Sequence, residues 1–414
     1  MAKLHYANLG KEIPEKTMAD AFYRLNPIKQ YIMRAIETME NLQYKLKWEL
    51  VLGVKPPEKV DRLSHRPLSQ SEKHNHGEIT TNRIHIYSDD PLTSQKVFDD
   101  FHEAKYILDS SGKQTWKNSI EVLDTEPKEN VLVVNRIPKT PHIYLRPNTH
   151  GLTRQMRALH FLQHSPRKEY LPLITLTENE YSAKWPQFKK TKISKWEVLT
   201  DRSRPGTDLQ REFVQIALPT PKTGTPDFAI LEGPPGSGKT TAICELVIQA
   251  IKNGLRVLLC ASTHIAVDNV LERLKDQKEI IAVRIGLDIG RVKKSVRGLT
   301  FQRRKDTERE SIIDYLNKLG GRRNDSQEYL LKALRSDEGD NVITKIILDS
   351  ANLVCGTTMG FLQHPDIKAA RDPEPLYDIM ILDESSKTTF QEFLVPALYA
   401  KRWILSGDVK QLSP

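Results

Sequence analysis

From Phe228 onward, short apolar runs alternate with stretches whose apolar positions recur every three or four residues. The runs are Phe228 to Leu231, Val257 to Ala261, Ile280 to Ile285, Asn352 to Cys355, Ile379 to Leu382 and Trp403 to Ser406. Unbroken apolar runs of this length mark strands buried on both faces. Helical patterns separate several of them, at Thr241 to Ile251, Val267 to Leu274 and Phe390 to Leu398. Such alternation predicts a parallel sheet with right-handed crossovers, whose ligands belong at the carboxyl ends of the strands. A polar insertion, about 288–345, interrupts it. Its start, Arg291 to Lys305, holds seven Arg or Lys and no acid, and fits either a solvated helix pair or an arm facing nucleic acid.

Ahead of this region the periodicity differs. Glu15 to Leu52 predicts one or two amphipathic helices, ended by Pro56-Pro57. Ser64 to Thr81 is polar, and its His74-Asn75-His76 lacks the flanking context of a metal or nuclease site. Ser119 to Leu123, Val131 to Val134 and His142 to Leu145 predict short strands of a small barrel or meander, and Thr153 to Gln163 a helix. Arg204-Pro205-Gly206-Thr207 marks a boundary. The expected division is therefore a helical or irregular region over 1–115, a small β-rich accessory domain with a basic linker over 116–204, and an α/β domain over 205–414.

Chemistry enters at Gly233-Pro234-Pro235-Gly236-Ser237-Gly238-Lys239-Thr240, between an apolar run and a helical pattern. This is the GxxxxGK[ST] phosphate-binding loop. Its backbone N–H groups close around phosphate oxygens, Lys239 reaches the β- and γ-phosphates, and Thr240 can hold Mg²⁺. The helix that follows, with Thr241 in its first turn, adds its positive N-terminal end to the same anion site. Ile379-Met380-Ile381-Leu382-Asp383-Glu384 supplies the second element. A strand ending in two carboxylates places Asp383 to hold Mg²⁺ and Glu384 to orient and deprotonate the attacking water. The chain is thus expected to bind a nucleoside triphosphate with Mg²⁺.

Composition narrows the setting. Three cysteines without paired spacing argue for a reducing compartment, the N-terminus has no apolar signal core, and no stretch approaches roughly 18 apolar residues. These features predict a soluble, cytoplasmic protein with no membrane partner. Net charge is +9, and residues 131–200 carry 12 Lys or Arg against 4 Asp or Glu, which suggests a polyanionic partner. Within that stretch, Lys184 to Trp196 interleaves five lysines with Trp185, Phe188 and Trp196. The pattern suits either a platform that stacks exposed bases or a linker whose aromatics pack on the next domain.

Three further stretches narrow the family: Leu209-Gln210-Arg211-Glu212-Phe213, Leu259-Cys260-Ala261-Ser262-Thr263-His264, and Ser406-Gly407-Asp408-Val409-Lys410-Gln411. With the phosphate loop and Asp383-Glu384, they resemble the Q motif and motifs I, Ia, II and III of superfamily 1 helicases, in the group that includes the RNA helicase of nonsense-mediated decay. The resemblance covers about 205–414 and implies a RecA-like P-loop domain with helices on both faces of its sheet. It further implies that Gln210 reads the adenine edge, that Ser262, Thr263, Thr357 and Thr358 contact nucleic-acid phosphates, and that Gln411, with Gly407 and Asp408, senses the γ-phosphate. Lys387 departs from the pattern, since many relatives have Gln there. The implied function is the N-terminal half of an ATP-dependent helicase or translocase on single-stranded DNA or RNA. The alternative is a nucleotide-gated switch or remodelling ATPase. A second RecA-like domain, in the same longer chain or another polypeptide, is expected to complete the ATP site, and hydrolysis by this chain alone is expected to be weak.

Overall fold

The computed structural model describes residues 3–7, 15–41, 43–51, 59–61, 78–112, 114–146, 149–164, 168–176, 188–218, 226–286, 292–336, 339–370 and 372–411. They gather into two compact units, 30–153 and 1–29 with 154–414.

Within 30–153, six strands close an antiparallel barrel in the order Tyr44–Leu50, Asn82–Tyr87, Val131–Val134, Ser119–Glu126, Tyr106–Leu108, His142–Leu145. Alternation along each strand sends Leu46, Ile84, Ile86, Ile120, Leu132 and Ile143 inward, and Phe101 of the helix Gln95–Glu103 joins the same core. A bulge between Val122 and Asp124 shifts the register with Val131–Val134.

The barrel starts earlier than the expected boundary at 115/116. Helix Glu15–Asn41 ends before Tyr44, and Tyr44 to Leu50 is a strand rather than more helix. The reason is periodicity of two: Tyr44, Leu46, Trp48 and Leu50 alternate with Lys45, Lys47 and Glu49, a pattern masked by the helical stretch before it. Pro56-Pro57 and His74-Asn75-His76 lie outside the described residues.

The second unit is built on a seven-stranded sheet in the order Lys3–Ala7, Phe228–Glu232, Trp403–Gly407, Ile379–Asp383, Val257–Ala261, Leu353–Thr357, Ala282–Arg284. The last six are mutually parallel and match the expected runs to within two residues. Lys3–Ala7 joins antiparallel beside the phosphate-loop strand and was not expected. Every residue of Val257–Ala261, Leu353–Thr357 and Ile379–Asp383 is buried, which explains their unbroken apolar character. Leu259, Cys355 and Ile381 pack in one core with the helices Thr207–Ala217, Lys239–Lys252 and His264–Leu274. On the opposite face Trp403 donates through Nε1 to Ala397 O of the helix Phe390–Ala397 (2.9 Å).

Among its described residues the insertion forms three α-helices, Phe301–Leu319, Asp325–Arg335 and Gly339–Ser350, rather than a pair. Several of its cations are matched by acids: Lys305 and Arg309 both reach Asp340 (2.7 and 3.0 Å), and Lys293 reaches Glu272 (3.1 Å). A buried ion pair anchors its start. Arg284 (1% exposed) binds Asp268 (0%) through Nε at 3.0 Å, and the second Asp268 oxygen accepts the Lys293 N–H at 2.9 Å.

Candidate functional site

Parallel register brings the expected site residues to one edge. Ala261 lies opposite both Asp383 and Thr357, and Glu232 lies opposite Gly407, so the loops that follow these strands emerge together. They line a cleft of about 390 Å³, with Lys239, Thr240 and Thr241 on one side and Asp383, Glu384 and Gln411 on another. Pro235, Gly236 and Gly238 of the loop also line it.

The loop owes its shape to two left-handed glycines, Gly236 (φ +77°) and Gly238 (φ +81°). At Gly238 a second constraint applies, because a Cβ would fall on the amide nitrogen of Gln210. That amide donates through Nε2 to Ser237 O at 2.9 Å, and Gln210 is buried. Gln210 therefore braces the loop from behind, a contact additional to the adenine role implied by resemblance. Lys239 Nζ donates to the carbonyls of Gly233 and Pro234, the latter at 3.0 Å, while Gly233 N–H donates to Gly407 O at 3.1 Å.

Asp383 is buried, and burial pushes its carboxyl up, opposed by the Glu384 N–H that donates to Oδ1 at 3.0 Å and by the Lys239 charge. A divalent cation beside it would favour the ionised form, against the effect of burial. Glu384 takes a left-handed backbone (φ +55°), rare for a residue with a Cβ and typical of strained functional turns. Its Oε2 lies 3.4 Å from Lys387 Nζ, so the residue that departs from the motif pattern pairs with the expected base. Gly407 passes so close to this turn that a Cβ would lie 2.7 Å from Ser385 Oγ. Ser237 Oγ is buried in the loop without a hydrogen-bond partner among the described residues.

These observations fit a nucleoside triphosphate with Mg²⁺. The loop has a buried, unpartnered hydroxyl, the Thr240 side chain and Asp383 line the same cleft, and a cation opposes a buried carboxylate. Among the described residues no group of three or more His, Cys, Asp or Glu is gathered to hold a metal by itself, so phosphate and water would complete the ion's shell. Arg273, which lines the cleft and donates to Thr241 Oγ1 at 3.3 Å, was missed from sequence; it lies on a helix whose local pattern gives no sign of it.

The family model of the AAA domain matches residues 207–342 and 315–414. The chain belongs to this family. The chain is 32% identical over 220 residues to the DNA-binding protein SMUBP-2 of Rattus norvegicus, a match covering 50% of this chain and 21% of that protein. It is 30% identical over 188 residues to the DNA replication ATP-dependent helicase/nuclease DNA2 of Saccharomyces cerevisiae, covering 45% of this chain and 10% of that one. Identity is 26% over 215 residues to the DNA polymerase alpha-associated DNA helicase A of Schizosaccharomyces pombe, covering 45% and 30%. The chain thus spans about a fifth of SMUBP-2. These are superfamily 1 helicase relatives, and the AAA domain here is an ATPase domain of that type. Among the described residues no helix is long and apolar enough to cross a membrane.

The four residues expected to touch nucleic acid are differently placed. Thr263 Oγ1 caps the helix His264–Leu274 by accepting from Ala266 N–H (3.3 Å), Thr357 Oγ1 accepts from Gly360 N–H (2.9 Å), and Thr358 Oγ1 donates to Glu392. Only Ser262 of the four has a buried hydroxyl without a partner. Trp185 lies outside the described residues. Trp196 packs against the sheet core with the Arg211 guanidinium over its ring at 4.8 Å, as the packing alternative requires.

Proposed function

We propose that this chain is the N-terminal, ATP-binding half of a cytoplasmic helicase or translocase that couples ATP hydrolysis to movement along single-stranded DNA or RNA. The observation that carries the proposal is the convergence of the phosphate loop, Asp383-Glu384 and Gly407 to Gln411 on one cleft.

In this account the backbone of Gly233 to Thr240 cradles the phosphates, and the Lys239 ammonium leaves the Gly233 and Pro234 carbonyls to meet the β/γ-phosphates. Thr240 and Asp383 would hold Mg²⁺, which would neutralise charge on the phosphate oxygens. Glu384 accepts the proton of the attacking water. Gln411, with Asp408, senses the γ-phosphate, and the close approach of Gly407 to Ser385 passes its position to the Glu384 turn. Gln210 and Thr241 complete the nucleotide site. A second RecA-like domain supplies arginines that offset transition-state charge, worth orders of magnitude in rate. Ser262 contributes its hydroxyl to the nucleic-acid path, where Thr263, Thr357 and Thr358 act through the shape of their turns.

One observation favours the slower alternative, a nucleotide-gated switch. The Lys387 pair lies on Glu384 and competes for the carboxylate that must take the proton. Steady-state ATP turnover of the full-length protein with and without single-stranded DNA and RNA tests the proposal. Stimulation by either strand supports the motor. Turnover indifferent to both strands would leave the switch.

A further inference from the structure

Away from the cleft, the helix His150–His164 faces a second cavity, of about 490 Å³. Arg154, Arg157, His160 and His164, spaced by three, three and four residues, line one wall, and Lys368 of the helix Pro365–Ala369 lines another. Lys29 adds charge behind them by donating to His160 Nδ1 at 3.0 Å. Phe161, Leu362, Leu398 and Tyr399 supply apolar surface. Among the described residues that line the cavity, Asp372 is the single carboxylate.

The two guanidinium groups among these cations are not neutralised by a described carboxylate. Arg154 is half-buried and Arg157 lies one turn away, and neither forms an ion pair with a carboxylate among the described residues. Burial first, and the neighbouring Arg157 charge second, disfavour the Arg154 cation. Its Nη1 donates to Met359 O at 3.0 Å, which fixes the fork and leaves further N–H groups for a ligand. Two adjacent guanidinium groups over an apolar floor match phosphate geometry better than that of a single carboxylate.

We propose that this cavity is a second ligand site, which takes a nucleoside phosphate with its phosphate on Arg154, Arg157 and Lys368 and its base against Phe161, Leu398 and Tyr399. The volume lies within the range of small-ligand pockets, about 300–1,000 Å³. The cavity walls adjoin elements that lead away from the first site. Met359 follows Thr357-Thr358, and Val395 and Leu398, which line the cavity, belong to or adjoin the helix that follows the Asp383-Glu384 turn. A ligand held here bears on both.

The nucleoside phosphate has two sources, a free nucleotide or one unit of a nucleic-acid strand. Calorimetric titration of AMP and of a twelve-residue oligothymidylate into the whole chain separates them. Arg157→Gln with Lys368→Gln changes exposed side chains, so the fold is retained, and an unchanged melting temperature checks this. The double variant should lose at least about tenfold in affinity, and Arg154→Gln independently should do the same. Loss for AMP assigns the free nucleotide; loss confined to the oligonucleotide assigns the strand. Unchanged affinity for both probes overturns the proposal. Lys239→Ala lies in the other cleft and leaves this binding intact, so failure of the ATP assignment is read separately.

Discussion

Gly238→Ala tests the loop geometry where two constraints meet. The residue sits at φ +81°, and its new Cβ would fall on the Gln210 amide that donates to Ser237 O. Alanine in the left-handed region costs about 1–2 kcal/mol. Expelling Gln210 forfeits one hydrogen bond between neutral groups, about 1 kcal/mol. The loop must regain its shape to enclose phosphate, so the combined cost of about 2–3 kcal/mol is expected in nucleotide affinity. At 1.4 kcal/mol per decade that is roughly 30- to 140-fold weaker binding of ATP·Mg²⁺. Gln210→Ala removes the obstacle, so Gly238→Ala in that background should cost the backbone strain alone. The two changes are then less than additive by about 1 kcal/mol. Calorimetric titration of the native chain, both single variants and the double variant measures this. Additivity to within about 0.3 kcal/mol would refute the brace.

Asp268→Asn leaves Arg284 charged and buried, and should destabilise the chain by about 3–5 kcal/mol in urea unfolding; a loss under about 1 kcal/mol contradicts the role given to this pair. His364 is 1% exposed and both ring nitrogens lack partners among the described residues, so burial lowers its pKa from 6.5 to about 4. Below pH 6.5 the unfolded chain gains a proton that the folded chain refuses, and stability falls until about pH 4, by about 3 kcal/mol in all. Stability of the native chain minus that of His364→Leu should show this decline, and parallel pH curves would exclude it. Trp196→Ala should lower the melting temperature and leave single-strand affinity per folded molecule unchanged; the reverse pattern restores the stacking platform.

The parallel sheet and its cleft were legible because burial on both faces demands continuous apolar runs, and because phosphate chemistry demands a fixed order of residues at Gly233 to Thr240. Tyr44 to Leu50 was not, since its alternation abuts a helical pattern without a strong break between them. Lys3–Ala7 is a five-residue strand whose partner is more than 200 residues away, and nothing local announces such a pairing. Residue types marked Thr263 and Thr357 as phosphate contacts, and the same hydroxyls also cap a helix and close a turn, a use that only coordinates reveal. The brace made by Gln210 was not legible, because bracing a loop depends on the close approach of Gly238 rather than on its own neighbours in sequence.

The central claim is that one cleft binds and hydrolyses a nucleoside triphosphate, with Lys239 on its phosphates and Glu384 as the base. Equilibrium titration of ATP·Mg²⁺ against the native chain, Lys239→Ala and Glu384→Gln, paired with turnover of the same changes in the full-length protein, tests it directly. The account predicts measurable binding by the native chain, severe loss in Lys239→Ala, and retained binding with lost turnover in Glu384→Gln. Native-like affinity in Lys239→Ala, or native-like turnover in Glu384→Gln, would contradict it.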